Sequence, residues 1–188
     1  MMSEMAAAGN PRFMHAVPQD FCAIFNEDMS ALYSLALLLT ADHEMAQQCF
    51  LAALDHCLKG ADVFPDRARS WSRRAIVKQA IQVVNPRPNG GESSVETWHD
   101  TVGDEIAEVR RRLMQLPAFT RFVFAMAVLE RYNIPECATL LNCGARDVEQ
   151  ARIRALQLIS GTGRDLQPAT FTGNTGQEPR LMADIGAA

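Results

Sequence analysis

Hydrophobic positions along the chain recur at helical spacing in several separate runs, and nowhere alternate as a strand would. Leu32, Leu35, Ala36 and Leu39 define a first strong helix that ends at Thr40-Ala41-Asp42. A second runs from about Asp42 to Leu58 through Met45, Cys49, Ala52, Ala53 and Leu54, with Lys59-Gly60 as its stop. A third starts near Pro65-Asp66 and carries Trp71, Ala75, Ile76, Ala80 and Val83. Residues 85–94, NPRPNGGESS, hold two prolines, two glycines and no apolar anchor, which is the composition of a linker. A second helical block follows from about Asp104 to Ser160. Within it Ile134, Cys137, Ala138 and Leu141 form one apolar face, with Asn133 as N-cap and Pro135 in the first turn. Asn142-Cys143-Gly144 then breaks the helix, and Gly144 is the residue expected to take the left-handed turn. From Ala145 a longer helix turns Val148, Ala151, Ala155 and Ile159 inward and Arg146, Glu149, Gln150 and Arg154 outward. A short helix, a tight turn and a longer helix make a helix-turn-helix, which holds a polar face against a major groove. An ordinary helical hairpin in an all-α core fits the same spacing. The pattern thus predicts an all-α chain of two small helical domains joined by a Pro/Gly-rich linker, the second containing the helix-turn-helix.

Composition supports a packed core, since 48% of the 188 residues are hydrophobic. No apolar run approaches the roughly 20 residues that cross a bilayer. The opening MMSEMAAAGNPRF lacks the basic-then-apolar order of a secretory signal, so no membrane partner and a cytoplasmic location are expected. Five cysteines (Cys22, Cys49, Cys57, Cys137 and Cys143) contain no C-x-x-C and lie in apolar helical stretches, where they read as small buried hydrophobes. His43, Cys49, His56 and Cys57 make only a weak case for a metal, and neither metal nor cofactor is expected. No paired acids, nucleophile–base set or phosphate loop points to an enzyme; Gly161-Thr162-Gly163-Arg164 is too short for a P-loop and lacks its Lys-Ser/Thr.

Charge changes the picture through its distribution. The net charge is −4, which argues against indiscriminate coating of nucleic acid. Between Pro18 and Val63 stand seven acids and one base, Lys59. Between Arg67 and Gly91 stand six bases (Arg67, Arg69, Arg73, Arg74, Lys78 and Arg87) and no acid. A solvated basic helix face would explain the run; its freedom from carboxylates in an acidic chain favours a surface turned toward a polyanion.

Two helical blocks, the first basic at its end and the second a helix-turn-helix, resemble the extracytoplasmic-function sigma factors of bacterial RNA polymerase. Leu32-Tyr33-Ser34-Leu35-Ala36 through Leu39-Thr40-Ala41-Asp42 is similar to the opening of that family's promoter-melting domain. Arg69-Ser70-Trp71, then Arg73, Arg74, Ala75 and Ile76, is similar to its tryptophan-led third helix. Leu116-Pro117, Val123-Phe124, Glu136, Ala138, Leu140-Leu141 and Val148 resemble its second domain. The order and spacing of these segments carry the likeness across about two thirds of the chain. Composition sets a loose leader over 1–17, a linker over 85–103 and a disordered tail over 161–188, and the likeness implies a region 2-like domain over 18–84 and a region 4-like domain over 104–160. It also implies a non-enzymatic transcription factor that binds double-stranded promoter DNA with core RNA polymerase, and an anti-sigma protein as a further partner. Arg69, Arg73, Arg74, Lys78 and Gln82 become the DNA contacts of the first domain. Arg146, Asp147, Glu149, Gln150 and Arg154 become those of the second, and Gln48, Leu51 and Ala52 the polymerase-facing positions.

The chain departs from the family at the last three. An acidic residue followed by Gln-Glu or Gln-Asp is usual there, and loss of such polar groups leaves partner groups unpaired at roughly 1–3 kcal/mol each. In the recognition helix the family's Val-Lys-Ser-Arg-Leu is replaced by Val148-Glu149-Gln150-Ala151-Arg152, which removes two cations and adds an anion. Arg152 stands where an apolar residue usually packs, though its stem can cover that surface. The alternative reading is a degenerate sigma-like protein that acts as a protein-interaction module. It draws on these departures and on an apolar second-helix surface containing Cys49, Ala52 and Ala53.

Overall fold

A computed structural model describes residues 15–60, 62–88 and 105–160, and the regular structure among them is entirely helical. Most of the loose leader, most of the linker and the tail expected from the sequence lie outside the described residues; the leader's last three residues are not loose, since Ala16 is buried and its N–H donates to the Val63 carbonyl at 2.7 Å. The first block opens with a helix that hydrophobic spacing had not suggested, α1 (Pro18–Glu27). Its start is fixed by Pro18 in the first turn and by the Asp20 carboxylate, which accepts from the Val17 backbone N–H at 2.9 Å. Phe21, Ile24 and Phe25 bury its inner face. After Asp28 the chain bends by 79° into α2 (Met29–Thr40), whose Leu32, Leu35, Ala36 and Leu39 are buried as the spacing predicts. Ala41 ends α2 in the left-handed region (φ 55°), and Asp42 caps α3 (His43–Leu58) by accepting from the Met45 backbone N–H at 2.7 Å.

Helix α3 buries only small residues, Ala46, Cys49, Ala53 and Cys57. Facing it, α4 (Ala68–Val84) buries Ala68, Ser72, Ala75 and Ala80 beside Ile76 and Val77, so the two backbones can approach closely. The Ser72 hydroxyl is satisfied within its own helix, donating to the Ala68 carbonyl at 2.9 Å. A single 3-10 turn, Pro65–Arg67, leads into α4, and Asn85 (φ 47°) ahead of Pro86 ends it.

The second block comprises α5 (Glu105–Met114), α6 (Ala118–Phe124) running into a π-helical turn (Ala125–Leu129), α7 (Ile134–Leu141) and α8 (Ala145–Ile159). Six residues of α6, from Phe119 to Phe124, are buried, and the helix packs on α8 and on α2 of the first block. The Asn133 side chain accepts from the Glu136 backbone N–H at 2.8 Å, while the Glu136 carboxylate accepts from the Asn133 N–H at 3.1 Å. The left-handed residue between α7 and α8 is Asn142 (φ 50°) and not Gly144, which is extended at φ −76° and serves as the N-cap of α8. An Asn tolerates the left-handed region almost as Gly does, and closes α7 there. Asp147 then accepts from the Gly144 backbone N–H at 3.0 Å.

Apolar contact continues from one block to the other. Phe119, Phe122, Val123, Met126, Cys137, Leu141 and Val148 belong to the same buried cluster as Phe21, Leu32, Leu39, Cys49 and Ile76. A small satellite of Leu116, Phe124 and Ala155 sits beneath α8. Among the described residues no single helix is long and apolar enough to cross a membrane. Of the cysteines, Cys49, Cys57 and Cys137 are buried and Cys143 is half-buried, whereas Cys22 is exposed, contrary to expectation.

Candidate nucleic-acid interface

Four of the six bases of the basic run lie on α4, with Arg67 just before it and Arg87 just after. Carboxylates meet three of the four, one within the first block and two at the seam with the second. Arg69 pairs with Glu27 and Asp28 at the α1–α2 bend. Arg73 forms a two-point bridge to Glu130 at the end of the π-helical turn, its Nε donating to Oε2 at 2.7 Å and Nη2 donating to Oε1. The Glu130 side chain is only 8% exposed, so this pair is far better shielded than the Arg69 pairs. Arg74 lies 3.3 Å from Glu136 and over the Tyr132 ring at 5.2 Å. Lys78 sits 5.4 Å from the centre of the Trp71 ring, and Gln82 and Arg87 are exposed. Trp71 is itself half-buried, with its indole N–H buried and without an acceptor among the described residues.

On α8 the five expected DNA contacts divide. Arg146, Gln150 and Arg154 are exposed along one ridge at i, i+4 and i+8. Asp147 is half-buried and committed to capping Gly144, and Glu149 is held by Arg152 at 2.7 Å. Arg152 is half-buried, its Nη2 donating to Glu149 while its buried Nε has no acceptor among the described residues. The three expected polymerase-facing positions, Gln48, Leu51 and Ala52, share the solvent face of α3, where Leu51 is 55% exposed. Cys49 and Ala53, expected on that same partner surface, belong instead to the core against α4 and α2. At about 100° per residue, their pair is centred roughly a third of a turn around the helix from Gln48, Leu51 and Ala52.

Three features of the seam had no counterpart among the contacts expected from sequence, although Glu136 carries part of the family resemblance. Glu130 and Glu136 engage α4, although a carboxylate near a helix end gives no sign of which helix it will meet. Arg121 is 1% exposed within α6. Its guanidinium donates to the carbonyls of Leu116 at 2.9 Å, Met114 at 3.2 Å and Leu39 of the first block at 3.3 Å. Burial lowers its pKa to about 10. A lone cation inside the apolar run from Phe119 to Met126 was the available signal for it. Burial, with Glu130 and Glu136 adding to it against Arg74, pushes the Tyr132 phenol up to about 12.

Among the described residues no group of three or more His, Cys, Asp or Glu side chains could hold a metal ion, and the Tyr33 hydroxyl lies 3.0 Å from Nδ1 of His43. No family model and no curated protein matches the chain.

Proposed function

We propose that the chain is a sigma-like transcription factor of the extracytoplasmic-function type, working in the cytoplasm by binding double-stranded promoter DNA together with core RNA polymerase. The observation that carries this reading is the ridge of Arg146, Gln150 and Arg154 on α8. All three are exposed at the start and middle of a helix that follows a short break, where a recognition helix presents its readers. Arginine reads guanine and glutamine reads adenine through paired hydrogen bonds in the major groove. In this reading α7, the Asn142-Cys143-Gly144 break and α8 act as the helix-turn-helix, and Lys78 and Gln82 extend the contact from α4. Gln48, Leu51 and Ala52 face the polymerase, and the chain has no catalytic role. An anti-sigma protein would bind over one of these faces.

Fluorescence anisotropy on a randomised duplex pool tests this. Arg146→Ala and Gln150→Ala are each expected to relax base preference at one or two positions, at roughly 1–3 kcal/mol. Absence of any retained sequence at low salt overturns it. The engagement of Arg69, Arg73 and Arg74 by carboxylates favours the second reading, a sigma-like interaction module without promoter recognition. Co-purification with core polymerase separates the two. The module reading expects none in the native protein and recovery on Leu51→Gln with Ala52→Glu.

A further inference from the structure

Between the start of α4 and the segment joining the π-helical turn to α7 lies an open cleft of 390 Å³. Four arginines line it (Arg67, Arg73, Arg74 and Arg131) against two glutamates. Glu130 spends both oxygens on Arg73, while Glu136 is divided between Arg74 and the N-cap of α7. Arg67 and Arg131 are exposed, and their guanidinium groups have no hydrogen-bonding or ionic partner among the described residues. They approach from different halves of the chain, one just ahead of α4 and the other just past the π-helical turn. The cleft therefore keeps a positive excess, and a concave wall concentrates its field.

Arg131 also departs from local preference. It occupies the left-handed region (φ 57°), which costs a residue with a Cβ roughly 1–2 kcal/mol. Flanking hydrogen bonds hold it there, Glu130 N–H to Ala125 O and Tyr132 N–H to Met126 O, each 2.9 Å. A glycine would take this turn without strain, and an arginine stands there instead. Trp71 and Tyr132 supply aromatic walls, and the buried Trp71 indole N–H has no acceptor among the described residues.

We propose that this cleft binds a small phosphate-bearing ligand of nucleotide size. Two uncommitted guanidinium groups suit a ligand with two anionic groups, since the planar fork matches phosphate oxygens two at a time. The volume lies at the small end of the about 300–1,000 Å³ typical of ligand sites. The aromatic walls favour a ligand that also carries a base. The α8 ridge does not line the cleft, so the inference is independent of DNA reading by that helix.

Isothermal titration of the full chain with ATP and with inorganic triphosphate at physiological salt tests it. ATP is expected to bind saturably at one site, and more tightly than triphosphate. Equal binding of the two assigns the cleft to oligophosphates and removes the base from the recognition. Combining Arg67→Ser with Arg131→Gly is expected to weaken binding at least tenfold. Arg87→Ser, beyond the opposite end of α4, is expected to leave it unchanged. Gly at 131 relieves the backbone strain, so the variant folds, and an unchanged far-ultraviolet spectrum checks this. No saturable binding of either probe, or equal binding by the folded double variant, overturns the proposal.

Discussion

Arg121 ties the two blocks together from within the core: 1% exposed, its guanidinium donates to carbonyl oxygens of both blocks. Arg121→Ala leaves the carbonyls of Leu39, Met114 and Leu116 short of donors and opens a void, so urea denaturation is expected to show a loss of about 3–5 kcal/mol. Arg121→Met fills the volume without a buried charge and is expected to lose less. Tyr132 gives the chain an alkaline limit. Burial holds its folded pKa up at about 12, above the ordinary phenol value of 10.0 that the unfolded chain shows. Between those values the unfolded state has already released its proton and the folded state has not, so stability falls as pH rises through that window. Tyr132→Phe is expected to flatten this part of the stability–pH curve. The thiols divide by burial: desolvation pushes Cys57 and Cys137 up to about 11. At pH 8 a maleimide is expected to modify Cys22 first and these two last, and rapid loss of all five thiols would contradict the packing.

At the scale of elements, Asn133→Ala removes one half of a reciprocal cap, and about 1 kcal/mol of stability is expected to go with it. That cap was readable from sequence because its partners are three residues apart. So were the inward faces of α2, α7 and α8, whose periodicity survives folding unchanged. Helix α1 was less legible: its apolar residues Phe21, Ile24 and Phe25 are few, and its exposed face carries Cys22 beside polar groups. The turn between α7 and α8 shows another limit, since Asn and Gly both tolerate the left-handed region and only the backbone distinguishes Asn142 from Gly144. The candidate interface was half legible. Spacing placed Arg146, Gln150 and Arg154 outward, but the partners of Arg73 and Arg74 are 57 and 62 residues away. No local pattern encodes such a pairing. A double-mutant cycle on Arg73 and Glu130 is expected to return a coupling of about 1–2 kcal/mol, as befits a two-point bridge with one partner shielded. The same cycle on Arg69 and Glu27, both open to solvent, is expected to show no measurable coupling.

For the whole molecule, the continuous cluster from α1 to α8 implies that the described blocks unfold together. Thermal unfolding of a Trp98→Phe variant, followed by circular dichroism and by Trp71 fluorescence, is expected to give one coincident transition; separate midpoints would show independent blocks. The seam also sets how much of the basic charge on α4 is available. Arg73 and Arg74 already face Glu130 and Glu136, so in this arrangement they contribute little to a phosphate backbone. Each phosphate a protein neutralises adds about 0.9 to the dependence of log affinity on log salt. Glu130→Gln with Glu136→Gln keeps the side-chain shapes, and Gln at 136 can still cap α7. Only the carboxylate charge holding the two arginines is removed. If α4 lies along DNA in the functional state, the double variant is expected to bind random duplex more tightly and to steepen the salt slope by nearly two units. Fluorescence anisotropy across a salt series reads both quantities. An unchanged slope would mean that Arg73 and Arg74 do not reach the duplex even when released. Base preference at α8 would then separate a DNA reader that uses one helix from a protein-interaction module that uses none.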